Sequence, residues 1–162
     1  MTDQPVLHVV LHQPEIPQNA GNVGRTCVAV GAKLWLVRPL GFRLEDRHLR
    51  RAGLDYWDQL EWEAVDDWNV LSARLSGGRT WFFSKSAARA FSNVEYRLGD
   101  VLVFGSETQG LPDALRVAHL DCFVRIPTRD AVRSLNLASA AAVGIYEAVR
   151  QLTVRGVLEL PA

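Results

Sequence analysis

The chain has 162 residues, 48% of them hydrophobic, and its 18 basic residues balance its 18 acidic ones. That length supports one ordinary core, and that composition excludes a disordered chain. No apolar run nears the ~20 residues that span a bilayer, and the start, MTDQPVLH, lacks the basic and apolar regions of a signal peptide, so a soluble cytoplasmic protein without a membrane partner is expected.

Val6 to Leu11 reads as the first strand, apolar and β-branched. The stretch PQNAGNVGRTC follows, from Pro17 to Cys27, and a helix from Ala20 to Val30 is expected within it and beyond, capped by Asn19 and stopped by Gly31. A strand, glycines and a helix invite comparison with a nucleotide cradle. A dinucleotide fingerprint needs G-x-G-x-x-G and an acidic residue at the end of the next strand. Here Gly21 and Gly24 are spaced G-x-x-G, and the next strand, Lys33 to Val37, runs into Arg38-Pro39. No Gly-Lys-Ser/Thr follows the glycines either, which excludes a phosphate P-loop. An ordinary turn explains Asn19 and the glycines but not Arg25, which is expected on the first turns of the helix, facing the strand ends.

A helix from Glu45 to Ala52 is expected to stop at Gly53. Arg43, Arg47, Arg50 and Arg51 form a basic cluster there, followed by an acidic one of Asp55, Asp58, Glu61, Glu63, Asp66 and Asp67. Of the 18 basic residues 16 are arginine, the side chain suited to bidentate phosphate contacts. On a neutral chain that cluster alone does not separate RNA binding from a solvated surface. Leu60 to Val65, Thr80 to Phe83, Val101 to Phe104 and Cys122 to Ile126 read as further strands. Asp67 to Leu75 and Pro112 to Ala118 read as helices, the second with proline at its first position. The last helix runs from a cap at Ser134 to Leu152, and its small residues around Gly144 allow close packing. Alternating strands and helices imply one α/β domain over residues 1–162, a mostly parallel sheet with helices on both faces. Cys27 and Cys122 read as buried small hydrophobes, and His8 and His12 lie too far apart along a strand to share a metal, so no metal site is expected.

Three strand ends carry polar loops. Beside the first, Gly105 to Pro112 places a lone carboxylate, Glu107, between two glycines, and Ile126 to Leu137 passes Arg129 and Arg133 before reaching Ser134. Ligands of open parallel sheets bind at the carboxyl ends of strands, and three convergent loops point there more strongly than one.

The motifs N-x-G-N-x-x-R, F-G-x-E-x-x-G-L-P, and Ile126-Pro127 with Ser134-Leu135-Asn136-Leu137-Ala138 occur in this order. Together they resemble the signature motifs of the SPOUT class of RNA 2'-O-ribose methyltransferases. The likeness is greatest to the small single-domain members that methylate the wobble ribose, nucleotide 34, of tRNA, and P-E-I-P-Q-N and the stretch from Leu49 to Tyr56 add to it. The resemblance implies a deep trefoil knot near the C-terminus, with S-adenosylmethionine bent inside it. Contacts would come from Phe83, Gly105, Gly110, Ile126, Ser134 and Leu135, largely through backbone, the glycines allowing close approach. It also implies a tRNA substrate, a homodimer with a shared active site, and Arg25 as the catalytic residue with Asn19, Glu107 and Asn136 in support. Glu107 would hold Arg25 or the loop, Asn136 would anchor backbone around the methyl donor, and Arg129 and Arg133 would meet phosphate. Tyr146 belongs to the core or to the dimer interface. Ser106 and Gln109 stand where the family often has proline and arginine, which touches RNA contact rather than cofactor binding. A guanidinium stays protonated at ordinary pH, so Arg25 is read first as an electrostatic and orienting group, with the family's base role as the alternative. Another RNA target, ribosomal or at another tRNA position, and a non-catalytic RNA-binding module are the alternatives.

Overall fold

A computed structural model describes residues 4–52 and 56–161. The expected stop at Gly53, the acidic Asp55 and part of the Leu49 to Tyr56 stretch lie outside the described residues, as does the side chain of Arg50.

Side chains alternate across a strand, and the central strands of this chain are apolar on both faces. On β1 (His8–His12), Val9 and Leu11 enter one core and Val10 the other. On β2 (Lys33–Val37), Leu34 and Leu36 oppose Trp35 and Val37. On β6 (Val101–Phe104), Leu102 and Phe104 oppose Val101 and Val103. Such strands need cover on both sides. Helices α1 (Pro17–Val30) and α5 (Leu137–Val154) supply it on one face, through residues such as Val23, Cys27, Ala141 and Ile145. Leu71 of α3 (Trp68–Arg74) and Leu115 of α4 (Asp113–Ala118) supply it on the other. The short α2 (Arg47–Ala52) adds Leu49 to the α1 side.

The remaining strands are β3 (Trp62–Val65), β4 (Thr80–Phe83), β5 (Arg89–Ala90) and β7 (Phe123–Arg125). The seven form one sheet in the order β3-β2-β1-β6-β4-β7-β5, and all six pairings are parallel. The α/β architecture therefore stands as expected, with β5 added: two residues are too short to carry a period.

Two helix starts that bear on the site differ from the sequence expectation, and α4 too begins at Asp113, with Pro112 as its N-cap rather than its first residue. Helix α1 begins at Pro17, three residues before the expected Ala20, and its N-cap is Ile16, with no side-chain capping bond. Proline's fixed φ and missing N–H suit a first helical position, which brings the chain into the helix before Asn19 and frees that side chain for another task. Helix α5 is capped by Asn136, not Ser134: its Oδ1 accepts from the amides of Ala138 (2.9 Å) and Ser139 (3.2 Å). Tyr146 does not join the core, being 48% exposed on the outer face of α5.

Cys27 is fully buried and burial pushes its thiol pKa far up, which keeps it unreactive. His8 Nδ1 accepts from Trp35 Nε1 at 3.0 Å, and desolvation lowers the pKa of both His8 and His12. Among the described residues no group of three or more His, Cys, Asp and Glu side chains could hold a metal ion, and no helix is long and apolar enough to cross a membrane.

Gly144 sets how closely α5 approaches the sheet. A Cβ there would lie 2.8 Å from Cε1 of Phe83, whose ring stacks on Phe104 at a centroid distance of 4.5 Å. Gly144→Val should therefore cost about 1–3 kcal/mol by overpacking, lowering the thermal unfolding midpoint by roughly 2–4 °C per kcal/mol. An unchanged midpoint would show that the two rings yield freely.

Candidate active site

The chain moves outward from β1 to β2 and β3, then crosses back to lay down β4 and the edge strand β5. It next inserts β6 between β1 and β4 and β7 between β4 and β5, so the direction of winding reverses beside β1. The carboxyl side of such a switch point is where open α/β sheets bind ligands. Here the segments following β1, β4, β6 and β7 border one cleft of about 590 Å³, within the usual range for a small-molecule or cofactor site.

The loop after β6 is folded tightly on itself. Gly110 N–H donates to the Ser106 carbonyl at 3.0 Å, and Gly110 has φ +66°, a left-handed conformation that favours glycine. A Cβ on Gly105 would lie 2.3 Å from the Gly110 carbonyl carbon. Closure of the loop's own backbone thus already requires both glycines, whatever a ligand adds. Ser106 accepts from the Gln109 amide through Oγ at 3.3 Å.

This closed loop aims Glu107 at the segment after β1. One carboxylate oxygen accepts from the Glu15 amide at 2.7 Å; the other accepts from the Ile16 amide (3.0 Å) and from Asn19 Nδ2 (3.2 Å). Both backbone donors lie at the entrance to α1, where N–H groups have no intrahelical partner. Glu15 reciprocates, its Oε1 accepting from the Thr108 hydroxyl (2.6 Å) and amide (3.1 Å). Asn19, 6% exposed, passes the connection on, its Oδ1 accepting from Asn136 Nδ2 at 3.1 Å. Since Asn136 Oδ1 caps α5, the line from Glu107 through Asn19 to Asn136 ties together the segments that follow β6, β1 and β7.

The six residues expected to hold the cofactor, Phe83, Gly105, Gly110, Ile126, Ser134 and Leu135, all line this cleft, as do Asn19, Glu107, Asn136 and Arg133. Apolar groups such as Phe83, Ile126 and Leu135 share it with polar loops, a lining that fits a nucleoside-bearing group, with apolar side chains for a base and polar groups for its edges. Arg129, exposed on the same loop, is not among the lining residues, and neither is Arg25. Arg25 lies in the third turn of α1, not the first, exposed, with its guanidinium carbon 5.2 Å from the centre of the Tyr56 ring. Six residues separate it from Asn19, about 9 Å along a helix and roughly 240° around it. Glu107 consequently holds the loop and not Arg25. Glu15 and Thr108 join this hydrogen-bonded rim without being singled out in the sequence, where the one signal is Glu15's place in P-E-I-P-Q-N.

The chain belongs to the SpoU rRNA Methylase family, whose pattern it matches over residues 6–146. It is thus a methyltransferase of the SpoU class. It is 45% identical over 148 residues to a tRNA (cytidine(34)-2'-O)-methyltransferase of Methylovorus glucosotrophus, covering 88% of this chain and 94% of that one. A solved structure described as giving insights into the 2-OH methylation of C/U34 on tRNA is 46% identical, with a TM-score of 0.89 and coverage of 93% and 99%. The SpoU methyltransferase AviRb from Streptomyces viridochromogenes, solved in complex with the cofactor AdoMet, is 26% identical with a TM-score of 0.78, over 94% of this chain and 60% of that one.

The Glu15 clasp carries a pH dependence. Hydrogen bonds from the Thr108 hydroxyl and amide hold the Glu15 carboxyl below its ordinary value of 4.5. A carboxyl depressed on folding contributes stability above its unfolded pKa and loses it as pH falls through the folded one. Thr108→Val removes the larger of these bonds, so the fall in stability from pH 5 downward should be shallower in the variant, measured by urea unfolding at a series of pH values. Parallel curves for the two proteins would show that the clasp is not made in solution.

Proposed function

We propose that the protein methylates the 2'-oxygen of the wobble ribose of tRNA, cytidine or uridine 34, using S-adenosylmethionine. The observation that carries this reading is the cleft in which the three motif loops meet through Glu107, Asn19 and Asn136. Support for the substrate comes from relatives of like length at 45–46% identity whose names specify that nucleotide. When bound, S-adenosylmethionine would supply an activated methyl group on a sulfonium.

Phe83, Ile126 and Leu135 would hold the adenine by apolar contact, and the backbone at Gly105, Gly110 and Ser134 would fix its edges. Glu107 and the two asparagines act as positioning residues, keeping the loops in one arrangement before either substrate arrives. Arg25 would orient the attacking 2'-oxygen and stabilise the negative charge that grows on it, the proton leaving to water or a phosphate. Within one protomer Arg25 stands outside the cleft, so this role calls for a second copy. The reading therefore includes a homodimer with the active site shared between protomers. Exposed apolar side chains on neighbouring elements, Ile16, Val143 and Tyr146, supply a surface suited to that contact. It also includes a single domain over residues 1–162 and a C-terminal trefoil knot, supported by β7 lying between β4 and β5 and by α5 packing on α1. Arg129 and Arg133 are assigned to RNA phosphate.

Arg25→Ala should lower transfer of tritiated methyl from S-adenosylmethionine to tRNA by about 10²–10³-fold while leaving the cofactor dissociation constant, measured by calorimetry, within twofold of wild type. Retained transfer would remove Arg25 from the reaction. Absence of cofactor binding by the wild type would remove the enzyme reading itself.

A further inference from the structure

Many cations of this chain are ion-paired, Arg38 with Asp66 beyond the carboxyl end of β2 among them. Around the amino ends of the strands the pairs are Lys33 with Glu61 and Glu63, Arg74 with Glu63, Arg79 with the buried Asp100, Arg97 and Arg155 with Glu95. At the cleft, Lys85, Arg116 and Arg133 make no ion pair among the described residues, although all three line it. Asp113 lines the cleft too, one turn before Arg116, and is not paired with it.

Arg116 is held in place by neutral groups. Its Nη2 donates to the hydroxyls of Ser84 (3.3 Å) and Ser86, which also contact each other at 3.0 Å, and its guanidinium carbon lies 5.8 Å from the centre of the Phe123 ring. Among the described residues Nη1 and Nε donate to nothing, so the fork keeps donors free with its charge uncompensated. With Nη2 taken by the two serines, Nη1 and Nε each keep a charged donor that can meet an oxyanion singly. Lys85 stands beside it on the segment after β4, its Nζ donating to the Arg133 carbonyl at 3.5 Å. The three cations come from three segments, those after β4, in α4 and after β7, which is more positive charge than one carboxylate would need.

We propose that Arg116, oriented by Ser84 and Ser86 and joined by Lys85, grips a backbone phosphate of the substrate RNA on the β4 side of the cleft, while Asn19 marks the β1 side. This rests on the RNA-methylating function proposed above. The RNA would then be fixed at two separate points, at Arg116 by a phosphate and at the reacting ribose, with the cofactor slot between them. Two-point contact sets the register of a strand in a way that one contact does not.

The test measures binding of a tRNA transcript with cytidine 34 over a series of KCl concentrations, for wild type, Arg116→Ala, Arg116→Lys and Lys85→Ala. Each lost phosphate contact should reduce the slope of log K against log[salt] by about 0.7–0.9, so both alanine variants should show it, with affinity down about tenfold for Arg116→Ala. Arg116→Lys should restore most of the slope. Affinity for S-adenosylmethionine, by calorimetry, should stay within twofold. Lys85 is exposed, so its variant carries the test should Arg116→Ala fail to fold by thermal unfolding. Unchanged slopes would overturn the proposal, as would unchanged RNA binding with weakened cofactor binding, which would assign the fork to the cofactor's carboxylate. Methyl transfer by the wild type, scored separately, reports on the proposed function alone.

Discussion

One carboxylate organises this site. Glu107 is placed by a loop closed on its own backbone at Gly105 and Gly110, and it spends both oxygens on the entrance to α1. Helix entrances carry unpaired amides and a partial positive charge, so a carboxylate is well suited to meet them. The bond to Asn19 then extends the same line to Asn136, the cap of α5. Three loops that are far apart in sequence thus become one rigid rim.

The rim also explains why the two large helices on one face matter to chemistry. Both α1 and α5 start at it, and both rest on the core that contains Phe83 and Phe104. Gly144 brings α5 down onto those rings. Packing and site are therefore coupled: the floor of the cleft is the top of the hydrophobic core. The cleft also carries charge, since Lys85, Arg116 and Arg133 line it and make no ion pair among the described residues.

Much of this was legible in the residues. Strands apolar on both faces, alternating with helices, imply a covered parallel sheet, and the three polar loops at strand ends point to its carboxyl edge. Asn19, Glu107 and Asn136 were identified, yet their mutual bonds were not, because hydrogen-bond partners some 90 to 120 positions apart leave no local pattern. Asn19 reads as a cap from its neighbours, and only Pro17 opening the helix early turns it inward. Ser134 likewise competes with Asn136 for the cap, two residues of similar capping strength. The glycines after β6 suggested ligand approach, whereas loop closure already demands them. Arg25 was expected to face the strand ends, but its place in the third turn is set by that same early start. Arg116 gave no signal at all, since its role depends on two serines thirty positions earlier.

The central claim is that the three loops form one hydrogen-bonded unit through Glu107, Asn19 and Asn136. Amide hydrogen exchange at Glu15 and Ile16 tests it most directly, compared between wild type and Asn136→Ala, a change that touches neither amide. The account predicts slow exchange of both amides in the wild type and clearly faster exchange in the variant, because losing Asn136 loosens Asn19 and with it the grip of Glu107. Fast exchange in the wild type, or identical protection in the two proteins, would contradict it.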